Sequence, residues 1–236
     1  MQRYFIDEDL FFGDYAIIKE DYHHIKNVMR FTVGKEVIVC PKNGKAYLTK
    51  ISSFSDNEVH VEVIEELESR ELDVEVTLAI GLVNNNKMEL IIQKATELGV
   101  SKILPLNMTR CIIKDKGNKK DRFVKIAKEA AEQSHRSIIP EILDTTSIKQ
   151  IKDCYDLKLF AYEASNDMTS LVKSVRSAKK IIIVVGPEGG FDDKEVSLLK
   201  EMGYLEVSLG KRILRAETAA FQALGLITLI KELNYE

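Results

Sequence analysis

The sequence feature that most constrains the fold is an uninterrupted apolar run, IIIVV, at residues 181–185. All five side chains are branched at the β carbon, which favours a strand, and the lack of alternating polar positions is typical of a parallel strand covered on both faces. A glycine-rich turn, GPEGG at 186–190, follows it directly. The run therefore predicts a parallel sheet with helices on both sides, which is an α/β fold.

The segments around this strand have the pattern that such a sheet requires. Shorter apolar runs predict further strands at 74–80, 103–106 and 157–161. Apolar residues at helical spacing predict helices at 87–98, 121–136, 168–175, 194–202 and 216–233. Because strands that alternate with helices pair in parallel, residues 71–236 are predicted to form one α/β domain.

The first 70 residues have a different pattern. Short β-type runs predict strands at 3–6, 37–40, 46–51 and 59–64, and one short helix is predicted at 20–30. Residues 65–75 are rich in acids and poor in large apolar side chains, which is the composition of an exposed junction. The sequence therefore predicts a small β-barrel-like domain at 1–70, with the domain boundary near residue 70.

The charge distribution bears on the class of partner. A net charge of −3 argues against a nucleic-acid partner, because a protein binds phosphates through cationic side chains that replace the counterions of the nucleic acid. The average conceals a basic segment, residues 110–128, with eight Lys or Arg residues against two Asp residues. Charge runs are also common on solvated surfaces, so RNA binding and a plain solvated face are both open at this point.

Cysteine and histidine lack the spacing of a metal site. Cys40, Cys111 and Cys154 lie far apart, and their odd number does not suit a disulfide framework.

The N-terminus carries acids among its apolar residues, and the apolar segment 219–230 is shorter than the ~20 residues that cross a bilayer. We therefore expect a cytoplasmic protein with reduced thiols, no bound metal, no signal peptide and no membrane span.

Two glycine turns are the candidate ligand-binding segments. In the first, Gly186, Gly189 and Gly190 let the backbone approach a ligand closely, although a ligand-free turn would have the same composition. Asp192 and Glu195 follow at the spacing of a capping box, which predicts a helix start. This turn has neither the GxGxxG pattern of a dinucleotide fold nor the GK[ST] of a phosphate loop.

The second turn, at Gly210, leads into the last predicted helix. Lys211, Arg212 and Arg215 lie there beside Glu217, at a helix N-terminus where unpaired amides and the helix dipole favour an anionic or carboxylate-bearing ligand. Ordinary capping with exposed cations is the alternative interpretation. Apolar and small neighbours predict that Arg215 is buried and paired.

Five segments, in order along the chain, resemble one family. They are HHIKNVMR at 23–30, KMELIIQKATELGV at 87–100, EAAEQSHRSIIPEI at 129–142, GPEGGF at 186–191 and LGKRILRAETA at 209–219. Together they resemble the ribosomal RNA small subunit methyltransferase E family. The resemblance implies a PUA-like RNA-binding barrel at 1–70, followed at 71–236 by a SPOUT domain with a parallel sheet and a deep trefoil knot. It also implies a homodimer, S-adenosylmethionine as cofactor, and methylation of N3 of a uridine in the decoding region of 16S ribosomal RNA, on the assembled small subunit.

The resemblance also implies roles for individual residues. The cofactor-binding residues it implies are Glu163, Gly186, Pro187, Glu188, Gly189, Gly190, Leu209, Gly210, Ile213, Leu214 and Arg215. The RNA contacts are Arg30 and Arg136, with Lys114, Lys116, Lys119 and Lys120 steering phosphates. Uracil N3 must lose its proton, so Glu188 and Glu217 are candidate bases, while Arg215 or Arg136 could instead stabilise a uridine anion.

Three other functions are weighed against this one. A related SPOUT enzyme could methylate a ribose hydroxyl or a transfer RNA, but the N-terminal barrel and Arg30 argue against it. A nicotinamide enzyme would need an early glycine fingerprint that is absent from the sequence. A noncatalytic RNA-binding protein would keep the basic segment and need neither glycine turn.

Overall fold

The computed structural model of the chain describes residues 1–113, 119–162 and 168–233. The chain folds into two compact units. The first unit comprises Met1–Glu71 and Ala131–Ile139, and the second comprises Leu72–Ala130 and Pro140–Glu236. A short segment distant in sequence thus belongs with the N-terminal strands.

The first unit is built on a five-stranded sheet. Its strands are β1 (Arg3–Ile6), β2 (Tyr15–Ile18), β3 (Glu36–Pro41), β4 (Ala46–Ser55) and β5 (Glu58–Leu67), in the order β1-β3-β4-β5-β2. β1 and β3 are parallel, and the other neighbours are antiparallel. All five strands contribute side chains to one apolar core, as in a barrel, because alternate residues of each strand point to the same face.

Two elements of this unit differ from the sequence-based expectation. The helix predicted at 20–30 is a single π-helical turn, His24–Val28, in which only Ile25 is buried. Strand β2, four residues long and at the sheet edge, is an addition to the predicted strands. Its pairing with β5, where Ala16 lies opposite Val61, holds it in the sheet.

The second unit contains a six-stranded sheet in which all pairs are parallel, as predicted. Its strands are β6 (Glu75–Gly81), β7 (Lys102–Leu106), β8 (Glu141–Ile142), β9 (Leu157–Ala161), β10 (Lys180–Val185) and β11 (Leu205–Val207), in the order β11-β9-β10-β6-β7-β8. The helices are α1 (Asn85–Glu97), α2 (Lys120–Gln133), α3 (Met168–Ser177), α4 (Asp193–Glu201) and α5 (Ala216–Glu232). The α/β interpretation is therefore confirmed.

Strand β10 lies inside this sheet and is covered on both faces. Its residues 181–185 are all buried, and Ile182 and Val184 pack in one cluster with Val196 and Leu199 of α4. Helix α5 also packs against β10 and β6. Burial on both faces explains why the apolar run has no polar alternation.

Helix α4 begins at the predicted capping box. Asp192 is the N-cap, and its side chain accepts a hydrogen bond from the backbone N–H of Lys194. The Glu195 side chain accepts one from the Asp192 N–H at 3.0 Å. These bonds satisfy amides that the helix itself leaves unpaired, so the glycine turn before α4 ends at a defined point. Within the described part of the chain, no helix is long and apolar enough to span a bilayer.

Candidate active site

Strands β9, β10 and β11 end at the same edge of the parallel sheet. The glycine turn 186–190 follows β10, and residues 208–215 connect β11 to α5. Ligand sites of open parallel sheets lie at this carboxyl edge, because the loops there flank a crevice. Here the loops border a cavity of about 710 Å³.

The cavity brings together most of the residues predicted to bind a cofactor. It is lined by Gly186, Pro187, Glu188, Gly189, Gly190, Leu209, Gly210, Ile213, Leu214 and Arg215. Glu163 lies outside the described residues, although Ala161 and Tyr162, just before it, also line the cavity. The structure thus places three chain segments around one space, and their role in cofactor binding stays a prediction.

At two positions, Gly190 and Gly210, the backbone conformation favours glycine, and each position leaves open space at the cavity. Gly190 has φ +68° and Gly210 has φ +110°, which side-chain-bearing residues rarely adopt. A Cβ atom at either position would meet nothing within 4 Å. The backbone at both turns is therefore accessible to a bound molecule, which fits a small-molecule cofactor.

Arg110 is a residue of this site that the sequence placed only in the basic segment. Its guanidinium donates a hydrogen bond to the carbonyl oxygen of Gly189 at 3.2 Å and lies 4.0 Å from the Asp192 carboxylate. A Cβ at Gly189 would come within 2.9 Å of the Arg110 Cβ, so the two segments approach closely. Arg110 therefore holds the first glycine turn in place.

Lys87 is a second residue that the sequence did not single out. It lines the cavity from the first turn of α1, where its backbone N–H donates to the N-cap side chain of Asn84 at 3.1 Å. Its ammonium donates to Glu188 Oε1 at 3.1 Å and lies 3.8 Å from Glu217 Oε2. The two candidate bases are thus joined by one cation, a link that no local pattern reveals.

The two carboxylates differ in their surroundings. The Glu188 side chain is 31% exposed and lines the cavity. The Glu217 side chain is 13% exposed, and its Oε2 is shielded from solvent and accepts no hydrogen bond from the described residues. Glu217 is also absent from the cavity lining. Glu188 is therefore the carboxylate that a bound molecule reaches first.

The side chain of Arg215 is not buried as the sequence predicted. The sequence predicts a buried and paired side chain, but Arg215 is exposed at the cavity and makes no side-chain hydrogen bond or ion pair with the described residues. Arg215 is the N-cap of α5 and has an extended backbone, so the buried face of the helix starts with Ala216 instead. An exposed guanidinium here is available to an anionic ligand.

The predicted RNA contacts lie in different places. Arg30, in the first unit, is exposed and has φ +53°, an uncommon conformation for a residue with a side chain. Lys119 donates to Asn85 Oδ1 and Lys120 to Asp144 Oδ1, each at 2.6 Å. Lys114 and Lys116 lie outside the described residues.

Arg136 is placed differently from the other RNA candidates. Its side chain is only 7% exposed, and its Nη2 lies 2.7 Å from Glu71 Oε2 within the first unit. Its carbonyl oxygen accepts a hydrogen bond from Arg3 at 2.9 Å. A guanidinium committed to a buried carboxylate is poorly placed to contact RNA, so we interpret Arg136 as a structural residue.

The described residues contain no group of three or more His, Cys, Asp or Glu side chains that could hold a metal ion.

Known proteins share both parts of this architecture. Residues 70–228 match the family model of an RNA methyltransferase domain, and residues 17–64 match that of an RNA methyltransferase PUA domain. Ribosomal RNA small subunit methyltransferase E of Bacillus subtilis (strain 168) is 39% identical over 253 aligned residues, covering 99% of this chain and 98% of that protein.

Two solved structures resemble the chain over nearly its whole length. Ribosomal RNA small subunit methyltransferase E from Neisseria gonorrhoeae, bound to S-adenosyl methionine, has a TM-score of 0.86 and 26% identity, covering 98% of each chain. A Legionella pneumophila protein in complex with the bound cofactor SAM has a TM-score of 0.82 and 29% identity, covering 96% of each chain. Both similarities span the two units described above.

Proposed function

The chain belongs to the ribosomal RNA small subunit methyltransferase E family, and from this premise we propose that it transfers a methyl group from S-adenosylmethionine to N3 of a uridine in the decoding region of 16S ribosomal RNA. The observation that carries this proposal is the single cavity bordered by both glycine turns at the carboxyl edge of the sheet. The substrate is the assembled small ribosomal subunit.

The cavity residues fit this cofactor. When bound, S-adenosylmethionine supplies an activated methyl group on a positively charged sulfur. The turns at Gly190 and Gly210 leave open space beside the backbone, and Leu209 and Leu214 offer apolar surface for the adenosine part. Arg215 and the N-terminus of α5 provide positive charge for the carboxylate of the methionine part. Glu163 is included as a cofactor contact on the strength of the resemblance alone.

The proton on uracil N3 must leave for methylation to occur. A positioned base contributes typically about 10² to 10⁴-fold to such a step. Glu188 lines the cavity, whereas the Glu217 carboxylate does not, so Glu188 is the better-placed of the two bases. Arg215, also in the lining, is placed to stabilise charge on the substrate.

RNA is held by a basic surface and by the N-terminal unit. We assign phosphate contacts to Lys119 and Lys120, together with Lys114 and Lys116, and a contact from the PUA-like unit to the exposed Arg30. Target uridines in folded RNA are flipped out or already unpaired when modified, because N3 is otherwise engaged in pairing.

The proposal includes a homodimer and the deep trefoil knot that the resemblance implies. An exposed apolar side chain on α5 supports the dimer, since Leu229 is 56% exposed although the opposite side of the helix is buried. In a closed two-fold dimer the same apolar face would be covered on both subunits. Sedimentation equilibrium of the purified protein measures this state directly.

One experiment tests the reaction and its substrate. Small subunits and naked 16S ribosomal RNA, both from a strain that lacks the gene, are incubated with the protein and S-adenosylmethionine carrying a labelled methyl group. Nucleosides from digested RNA are then separated and identified by mass spectrometry. We expect labelled N3-methyluridine, formed faster on subunits. A labelled ribose or another labelled base would replace the N3 assignment with a different methylation, and no label on either RNA would contradict methylation of this substrate.

A further inference from the structure

Lys87 occupies a position that is unfavourable for a cation on its own. It lies in the first turn of α1, where the helix dipole disfavours positive charge. It nevertheless lines the cavity, and its side chain is about a quarter exposed, at 27%. Two carboxylates from distant parts of the chain, Glu188 and Glu217, compensate the charge. A cation that the fold stabilises at such a position is a candidate for function.

The two carboxylates support Lys87 from different sides. Glu188 shares the cavity lining with Lys87, whereas Glu217 lies outside the lining with a shielded Oε2. A shielded carboxylate oxygen without a hydrogen bond is costly unless a cation is close. The Lys87 ammonium, 3.8 Å away, is that cation. Glu217 is therefore placed to orient Lys87, while its own carboxylate remains away from a bound substrate.

The ammonium of Lys87 retains hydrogen-bonding capacity. A lysine ammonium has three N–H donors, and the Glu188 bond at 3.1 Å uses one of them. The distance to Glu217 is too long for a second hydrogen bond. Lys87 can therefore donate to a substrate oxygen in the cavity without giving up its contact with Glu188.

We propose that Lys87 is a catalytic residue of the methyl transfer, which donates a hydrogen bond to a carbonyl oxygen of the target uracil. This inference rests on the proposed N3 methylation. Uracil N3 is flanked by two carbonyl groups, so the negative charge left when N3 loses its proton spreads onto their oxygens. A fixed cation beside one of these oxygens stabilises that charge. Glu217 is a positioning residue that holds the ammonium in place.

The step balances in atoms and charge. The N3 proton passes to the Glu188 carboxylate, and the electron pair left on N3 forms the bond to the methyl carbon. The electrons of the broken carbon–sulfur bond remain on sulfur. One positive charge on sulfur and one negative charge on Glu188 are thereby lost together, and the proton later leaves to water.

The first test compares Lys87→Met and Lys87→Arg with the wild-type protein, on small subunits that lack the modification. Removing one charge-stabilising donor costs about 10² to 10³-fold in kcat, so we expect that loss for Lys87→Met. We expect partial recovery in Lys87→Arg, which keeps the charge. Calorimetry with S-adenosylmethionine should give a dissociation constant within about threefold of wild type for both variants, since Lys87 acts on the uracil.

Lys94→Met is the matched control. Lys94 lies on the same helix, and its ammonium donates to Glu97 at 2.8 Å on the surface of the unit. This variant should retain wild-type kcat. A Lys87→Met protein with wild-type kcat, or with its whole defect in cofactor affinity, would overturn the inference.

The second test separates charge stabilisation from a structural effect. Fluorine at C5 of uracil withdraws electrons and stabilises the N3 anion without help from the protein. The ratio of wild-type to Lys87→Met rates should therefore be smaller on subunits in which 5-fluorouridine replaces uridine. An equal ratio on both substrates would mean that Lys87 acts only through structure. If the wild-type protein forms no N3-methyluridine at all, the proposed function fails instead, so the two failures are distinguishable.

Discussion

The interaction between Glu71 and Arg136 leads to a quantitative prediction about stability. Arg136 donates to Glu71 Oε2 through Nη2 at 2.7 Å and through Nε at 3.1 Å. Glu71 Oε1 accepts two backbone N–H groups, from Ser137 at 2.8 Å and from Ile138 at 3.1 Å. The Glu71 side chain is 13% exposed and that of Arg136 is 7% exposed. One carboxylate thus holds residues 136–138 within the first unit.

Glu71→Ala removes this carboxylate from five donor groups, because the Ser137 hydroxyl also donates to Oε1, at 3.4 Å. Breaking a buried ion pair by removing one partner costs about 3 to 5 kcal/mol, because a buried charge loses its compensation. For a chain of this size each 1 kcal/mol lowers the melting temperature by roughly 2 to 4 °C. We therefore expect the free energy of unfolding to fall by about 3 to 5 kcal/mol and Tm to fall by roughly 6 to 20 °C.

Urea unfolding followed by circular dichroism measures this loss, and Arg122→Met is the matched control. Arg122 makes an ion pair of similar length, 2.8 Å to Glu89, but its side chain is 68% exposed. Exposed pairs contribute about 0 to 1 kcal/mol, so this variant should be nearly as stable as wild type. The reasoning is refuted if Glu71→Ala loses no more stability than Arg122→Met. A lower RNA affinity in a stably folded Arg136→Lys protein would restore the RNA contact predicted for Arg136.

Three further predictions concern the cavity, the basic segment and the thiols. Gly210→Trp should abolish S-adenosylmethionine binding in calorimetry, because the residue has φ +110° and borders the cavity. RNA retention on a filter should stay at the wild-type level. Equal cofactor affinity in the variant and the wild type would reject the placement of the cofactor at this turn. Replacing both Lys119 and Lys120 by Gln should reduce the magnitude of the slope of log affinity against log salt by about 1.4 to 1.8, as expected for two lost phosphate contacts. An unchanged slope would mean that neither lysine contacts phosphate. Burial raises the pKa of the Cys40 thiol to about 11. At pH 8 iodoacetamide should therefore alkylate the exposed Cys154 and leave Cys40 unmodified in the folded protein, as peptide mass spectrometry would show. Labelling of Cys40 at the rate of Cys154 would contradict its burial.

The features that the sequence determined by itself are local ones. The β-branched run at 181–185 predicted a buried parallel strand, and β10 is that strand. The spacing of Asp192 and Glu195 predicted the start of α4, because a capping box is formed by residues three apart on the chain. The glycines of both turns were recognisable because an unusual backbone conformation limits the residue type at that one position.

The features that only the tertiary structure decided depend on residues far apart in sequence. Lys87 and Glu188 are separated by 101 positions, and Glu71 and Arg136 by 65. Arg136 had the same local signal as a surface arginine, yet it is buried, whereas Arg215, predicted to be buried, is exposed. Local propensity and spacing report only on neighbours along the chain. Whether a charged side chain meets solvent, a ligand or a buried partner depends instead on which strands and loops the sheet order brings next to it.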